Sequence, residues 1–590
     1  MVGTLTWVLV GLAAYTVLAM GLKSTGVVPS YIKFSGPITT IHTQRGKRFL
    51  SWLARPKRFW RAWGNLGVGA GLVIMTGTFL LVVFSATQAV LNPQPSALNE
   101  PRNALAIPGV NDFLPLSVAP EILAGLGLGL IVHEGGHGLF CRVEGIDIKS
   151  MGLAMLAILP VGAFVEPDEK ELLRADRGVQ TRMYAAGVTN NFALGFLALL
   201  LLFGPVAGSV AVVDGYHVGG TAESTPAAEA GIGSGDVITA VEGQPVRDPA
   251  DLQSALAATN ETRVEIERQD KAAVTVERSA VVGSARQSAP LESGETIVSV
   301  NGTNVSTTGQ FIETARDHPV ASIRTEEGRT VQLPTGSYVL VAEDQPFDDA
   351  GAPARAGVII TEVDGQRTVD ERDLVGVLSG IEPGTTVPVT AYVDGQRQTY
   401  NVTTVSAQGR EGAALGVALE PGVSGIEIND FGIDQYPAAT FLEFIGGEPE
   451  NGGQVADAGF FQQTYFTVIL PVIGESPGSP FGYSFPGFTG FWTNFYTVTG
   501  PLSILGESTV FLLANVLFWT GWINLIIGQF NLTPTFPLDG GHILRATTES
   551  VVSRLPVPDG RSLTTSVTFA VTASMILGLL TMIFGPRLFA

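Results

Sequence analysis

The sequence predicts a polytopic α-helical membrane protein of about six transmembrane helices with an inserted α+β ectodomain, and three observations carry that prediction. Apolar residues are bunched into separate stretches, each near the roughly 20 residues that a bilayer requires. A long acidic segment separates the fourth stretch from the fifth. Within that segment one short pattern recurs three times.

The stretches run from Leu5 to Leu22, Leu66 to Leu91, Val118 to Phe140, Met183 to Phe203, Val510 to Phe530 and Leu563 to Phe584. The first has no charged leader and no small-residue cleavage site before Lys23, so it reads as a retained helix. Tyr465 to Ile473 is too short for a span and carries Pro471; it reads as interfacial or re-entrant and stays outside the six. Between Lys23 and Arg61 stand nine basic residues and no acid, which makes that loop cytoplasmic. Alternation then places the loop after Phe140 inside, the segment from Phe203 to Val510 outside, and the loop with Arg545, Arg554 and Arg561 inside. The expected domains are 1–117 (two helices and the basic loop), 118–210 (the first half of a helical core), 211–410 (extracytoplasmic repeats), 411–508 (an extracytoplasmic or interfacial linker), 509–545 (the last core helix) and 546–590 (a cytoplasmic loop and C-terminal helix).

The formal net charge of −20 is concentrated outside, where Ala211 to Glu450 holds 37 acids against 14 basic residues. That balance argues against a nucleic-acid partner; the surrounding partner is the lipid bilayer. A lysine-poor, carboxylate-rich surface stays soluble in molar salt, so the composition points to a halophilic archaeon. The single cysteine, Cys141, rules out an internal disulfide and reads as a helix-packing residue.

The recurring pattern is G-x-x-I-x-x-V-x-G, at Gly235 to Gly243, Gly294 to Gly302 and Gly357 to Gly365. Each copy is followed by a short helical stretch (Pro249 to Ala257, Thr308 to Arg316, Glu371 to Leu378) and then by a period-2 strand pair turning near Asp270, Gly328 or Asp394-Gly395. The first copy, with Ala227 to Ile232 followed by Gly235-Asp236-Val237-Ile238 and Val241-Glu242-Gly243, resembles the PDZ domains of membrane and periplasmic proteases. The resemblance implies modules that bind extended peptide segments at a sheet edge.

The strongest chemical signal is His133-Glu134-Gly135-Gly136-His137, which sets two imidazoles four residues apart on one helical face. Ionisable groups inside an apolar span are costly unless paired or metallated. A catalytic zinc takes three protein ligands and leaves a fourth position for water, so another ligand is needed. Val143 stands where an extended soluble-protease motif would require histidine. Glu166 and Glu169 are possible but lie in a polar loop. Asp539, in the run Asn531 to His542, follows a span that also ends inside, so it arrives at the depth of His137.

Taken together, His133-Glu134-x-x-His137 and Asn531-x-x-Pro534 with Leu538-Asp539-Gly540 resemble the site-2 protease family of intramembrane metalloproteases. Ala186-Gly187-Val188-Thr189-Asn190-Asn191 is similar to the family's A-G-P-x-x-N, with Val188 in place of proline. Thr499 to Ile504 is similar to S-G-P-x-G-I, with Ser503 in place of glycine, and Pro160 to Val165 to P-x-G-G-x-V. The resemblance implies a three-helix catalytic core in which His133, His137 and Asp539 bind zinc, Glu134 is general base and acid, and Asn531 holds the substrate or its oxyanion. It implies membrane-anchored protein substrates, cut within or next to the bilayer in regulated proteolysis, with the active site near the cytoplasmic side and the PDZ-like region outside. Met151 to Val165 reads either as a strand edge for an extended substrate or as a packing hairpin with no substrate role. The rival expectation is a catalytically silent scaffold binding peptides through its modules; it predicts loss of a ligand or of the glutamate, and none is missing.

Overall fold

The computed structural model describes residues 4–93, 96, 99–103, 107–111, 113–157, 159–259, 261–286, 289–407, 412–448, 458–475 and 481–589. It divides into two compact units, Met1–Ala211 with Ala439–Gly490 and Thr497–Ala590, and Val212–Ala438 with Phe491–Tyr496. The expected boundary at 410 and 411 lies outside the described residues.

In the first unit, five helical stretches among the described residues are long and apolar enough to cross a membrane: Lys57–Leu91, Leu116–Glu144, Arg177–Ser209, Glu507–Asn531 and Gly560–Phe589. Each contains one of the expected spans and extends past it. The first expected span lies in α1 (Thr4–Ser24). A corner follows, with β1 (Ile32–Ser35), β2 (Ile38–His42) and the short α2 (Gln44–Leu53), whose N-terminus is capped by the Thr43 hydroxyl accepting from Gly46 N–H at 3.1 Å. The next helix, α3 (Lys57–Leu91), has 35 residues. At 1.5 Å per residue it is about 52 Å long against a hydrocarbon core of roughly 30 Å.

Three helices form the centre of this unit: α4 (Ala119–Glu144), α6 (Arg177–Leu201) and α8 (Glu507–Asn531), each touching the other two. Small residues let them approach closely, as lipid-embedded helices require. A Cβ on Gly125 of α4 would lie 3.1 Å from backbone atoms of Trp519 and Thr520, and one on Gly136 would lie 2.8 Å from the Ala186 carbonyl oxygen. Asn524, fully buried in α8, donates to the carbonyls of Gly125 (3.3 Å) and Thr520 (2.8 Å), so its amide ties α8 to α4.

Between α4 and α6 the chain makes the hairpin β3 (Ile148–Leu156) and β4 (Leu159–Pro167), then α5 (Glu169–Arg174). The stretch expected to be strand-like, Met151 to Val165, falls within this hairpin; the side chains of Pro160 and Val161 lie outside the described residues. The sheet order is β1-β2-β3-β4, all antiparallel, which leaves β4 as an edge. The left-unassigned Tyr465 to Ile473 belongs to α7 (Phe460–Ile469) and the 3-10 turn after it. Trp522 donates its indole N–H to Val468 O at 2.8 Å, so this segment lies alongside the middle of α8. Last come α9 (Asp539–Val552) and α10 (Gly560–Phe589).

The second unit holds three sheets of one design. Each has five strands, one of them only two residues long, from a consecutive stretch (from Tyr216 to Glu277, Ala280 to Pro334 and Ser337 to Thr403) and the expected helix at Pro249–Ala257, Thr308–Arg316 or Glu371–Ser379. A sixth strand completes each sheet from a single returning run: Val417–Leu419 pairs with Ser337–Val341, Ile426–Asn429 with Ala280–Ala285, and Ile433–Gln435 with Tyr216–Thr221. The chain thus builds the modules in order one, two, three and closes them in order three, two, one. The stretch expected as linker from 411 onward therefore begins with strands of the modules. The third copy also departs at its turn: Gly235 and Gly294 hold positive φ, whereas in that module the left-handed residue is Arg355, not Gly357.

Candidate metal centre

One turn of α4 separates His133 from His137, and their ring centroids stand 4.8 Å apart. His137 Nδ1 is 2.8 Å from the Met183 carbonyl of α6, which fixes that ring with its Nε2 facing away. His133 Nδ1 is 3.4 Å from Asn191 Nδ2, while Asn191 Oδ1 is buried without a partner. Turned over, that amide would offer His133 Nδ1–H an acceptor, so Asn191 is the residue that faces the second ring. Asn191 stands within the Ala186 to Asn191 motif, but its contact with His133 exists only because α6 lies against α4.

Asp539 does not lie on the long helix. α8 ends at Asn531, a loop follows, and Asp539 opens α9. A Cβ on Gly540 would fall 2.4 Å from the carbonyl oxygens of Leu532 and Thr533, so glycine is what lets α9 fold back against that loop. This brings Asp539 Oδ2 to 3.2 Å from His133 Nε2 and 3.4 Å from His137 Nε2, and the two Nε2 atoms to 3.2 Å from each other. Oδ2 is buried and makes no hydrogen bond. Three ligand atoms at the corners of a tetrahedral zinc, each about 2.0–2.1 Å from the ion, are about 3.3 Å apart. The triangle fits zinc, and the orphaned carboxylate oxygen is the atom that a cation would satisfy. Gly187 of α6 forms the floor: a Cβ there would stand 2.7 Å from His137 Nε2 and 2.9 Å from His133 Cε1.

Glu134 points elsewhere. Its Oε2 accepts from the backbone N–H of Val165 on β4 at 2.9 Å, and the side chain lines a cavity of about 860 Å³. Asn531 is not brought to the triad by a direct contact; its amide donates to Ile527 O of its own helix at 3.1 Å. Glu166 accepts from the Ser150 hydroxyl at 2.7 Å and Glu169 sits in the first turn of α5, so among the described residues the metal-ligating group is His133, His137 and Asp539 alone. Cys141 is buried against Met183, 3.8 Å between sulfurs, as a packing residue.

The family model for peptidase family M50 matches residues 121–575. The chain belongs to peptidase family M50, the site-2 protease family. With its long apolar helices it is a multi-pass membrane protein of a metalloprotease family. Among curated relatives, an uncharacterized protein of Methanocaldococcus jannaschii is 26% identical over 172 residues, covering 29% of this chain and 44% of that one. The membrane-bound transcription factor site-2 protease homolog of Arabidopsis thaliana is 28% identical over 201 residues, 32% of this chain and 36% of that one. A Clostridium perfringens protein named as a zinc metalloprotease is 27% identical over 164 residues, 23% of this chain and 47% of that one. The chain thus spans less than half the length of each of these relatives. A solved structure, the PDZ domain of the SdrC-like protein Lmo2051 from Listeria monocytogenes, matches over 14% of this chain and 86% of that one, at 22% identity and a TM-score of 0.13.

Proposed function

We propose that this chain is an intramembrane zinc endopeptidase that hydrolyses peptide bonds of membrane-anchored proteins within or next to the bilayer, in regulated proteolysis. The observation that carries it is the triangle of His133, His137 and Asp539, built from two helices, α4 and α9, around a buried carboxylate oxygen with no hydrogen bond. Zinc held there would lower the pKa of bound water towards 7 and polarise a carbonyl. Glu134, one residue along from a ligand, takes the proton from the attacking water and passes it to the leaving amine. Asn531 donates its amide hydrogens to the developing oxyanion, which requires it to release Ile527 O. An extended substrate pairs with the edge of β4, because a helical one has its carbonyls engaged. The basic segment from Lys23 to Arg61 supports an active site near the cytoplasmic side, and the acidic modules then face outward, as PDZ-like binders of peptide segments in a salt-rich exterior.

The test is metal content and cleavage of a candidate single-span substrate by the purified full chain. Glu134→Gln should keep one zinc per chain and lose cleavage by at least about a hundredfold. Asp539→Ala should lose both. Full cleavage by Glu134→Gln would overturn Glu134 as the proton carrier, and no cleavage by the unaltered, zinc-loaded protein would leave a catalytically silent scaffold as the better account. Reporter fusions after Arg61 and after Arg554 should read cytoplasmic and one near Gly328 external; the reverse would turn the orientation over.

A further inference from the structure

The cavity beside Glu134 has two kinds of wall. One is the protease core itself: Ile131 and Glu134 of α4, Ala193 and Leu197 of α6, and the end of β4. The other comes from residues 41–63, which lie outside the stretch matched by the family model. There Phe49 and Leu50 of α2 face Trp60 and Trp63 of α3. Both indoles are pinned. Trp60 donates to Leu53 O at 2.8 Å, which holds the corner between α2 and α3, and Trp63 donates to Asn190 Oδ1 at 3.0 Å, which holds that corner to the core. Among the residues lining the cavity Glu134 alone is charged. Its volume, about 860 Å³, falls within the roughly 300–1,000 Å³ of cavities that enclose a ligand.

We infer that this cavity is the side-chain pocket of the protease, and that the segment 41–63 sets which residue stands beside the scissile bond: a large aromatic or aliphatic one. The inference rests on the protease reading above. Its occupant follows from continuity, because the cavity opens on Glu134 and on the N–H of β4 that Glu134 now holds, so whatever presents a peptide bond to Glu134 must lay its neighbouring side chain against these walls. An apolar, aromatic-lined space gains from burying apolar area and loses when a polar or small residue leaves it part-filled. Phe49 and Leu197 are more than half exposed, so the rim is open to an entering segment. Trp60 and Trp63 act as specificity-determining residues and take no part in moving protons.

The experiment uses the full chain with zinc in detergent micelles and a mixture of synthetic single-span peptides in which one central residue is varied among Ala, Leu, Phe and Trp. Cleavage sites and rates are read by mass spectrometry on both sides of the cut. The unaltered protein should favour Leu, Phe or Trp over Ala beside the scissile bond by at least about tenfold. Ala193→Phe, which fills the space, should lower that ratio at least fivefold, and Trp60→Ala, which enlarges it, should raise the share of Trp over Leu. Trp60→Phe should stay close to the original. Zinc content should be unchanged in all three. A preference that neither filling nor enlarging moves, in proteins that still cut, overturns the inference while leaving the protease reading standing. So does a co-purified phospholipid whose amount falls in Ala193→Phe while the preference stays. No cleavage of any peptide by the zinc-loaded, unaltered protein removes the protease reading and this inference with it.

Discussion

Both units of this molecule bury imidazoles and matched carboxylates, Glu144 with Arg61 and Arg182 in the membrane unit among the latter, but only the membrane unit also gathers a set of such groups around shared space. In the unit of modules every such group found buried is matched. Asp236 is paired with Arg268 and Lys271, Asp430 with Arg278, and His217 bonds to the Val213 carbonyl at 2.8 Å. In the membrane unit His133, His137 and Asp539 converge with lone pairs facing one point and a carboxylate oxygen lacking any hydrogen bond. Burial alone therefore does not mark a functional site. A buried polar group that is satisfied holds the fold, and one that is aimed at shared space and left unsatisfied waits for a ligand.

The largest effect should come from disturbing that shared space without touching a ligand. Gly187→Ala puts a methyl group 2.7 Å from His137 Nε2, a distance at which the ring must move. Zinc occupancy of the purified protein should fall below half, and cleavage with it. Gly127→Ala on α4, whose Cβ would meet nothing within 4 Å, should leave both unchanged. Equal zinc in the two variants would mean that the triangle tolerates displacement, and that convergence at 3.2–3.4 Å is not what defines the site.

Next in size is a test of the satisfied kind. Asp430 lies on the returning run, where its Oδ2 accepts from Arg278 Nε at 2.7 Å and its Oδ1 accepts from Thr308 N–H at 2.6 Å and from the Thr308 hydroxyl at 2.7 Å. It thereby ties the last strand of the first module to the helix of the second. Both partners of the ion pair are almost fully buried. Asp430→Ala leaves Arg278 charged and unpaired, which costs about 3–5 kcal/mol, and the thermal unfolding of the modules should shift down accordingly while zinc content stays. If zinc were lost as well, the modules would not be the purely structural users of buried charge described above.

How much of this was legible beforehand follows the same division. The spans, the triad residues and the three module helices show in the sequence because each has its own periodicity or spacing; Asp539 could even be matched to His137 by depth alone. The returning run did not show. Its strands have three or four residues, too few for an alternation to register, and their partners lie up to about two hundred positions earlier. A signal was there: Leu415-Gly416-Val417, Ser424-Gly425-Ile426 and Phe431-Gly432-Ile433 each set a positive-φ glycine before an aliphatic residue. The groups that orient the histidines were illegible for another reason, since a backbone carbonyl such as that of Met183 has no side-chain identity to read. The wall of residues 41–63 was hidden because its aromatic residues read simply as part of a basic loop and a span.

The smallest effect concerns the third buried imidazole. His217 is 7% exposed, packs its ring edge-on to Phe495, and has its pKa lowered from the ordinary 6.5 chiefly by burial. It is held neutral by the fold, with no carboxylate bonded to it and with its Nε2 on a carbonyl. The sign follows. Below about pH 6.5 the unfolded chain takes up a proton that the folded chain refuses, so the stability present at neutral pH declines as pH falls through that value, by at most about 1.4 kcal/mol per pH unit until the folded pKa is reached. Above pH 7.5 the contribution is flat. His217→Gln, whose amide can still donate to Val213 O, does not titrate, so the difference in melting temperature between the two proteins isolates this residue from the other histidines. That difference should shrink or reverse between pH 7.5 and pH 5. A difference that stays constant would mean that His217 takes up its proton as readily folded as unfolded, and the contrast between a satisfied imidazole in the modules and a waiting pair in the membrane would lose its clearest member.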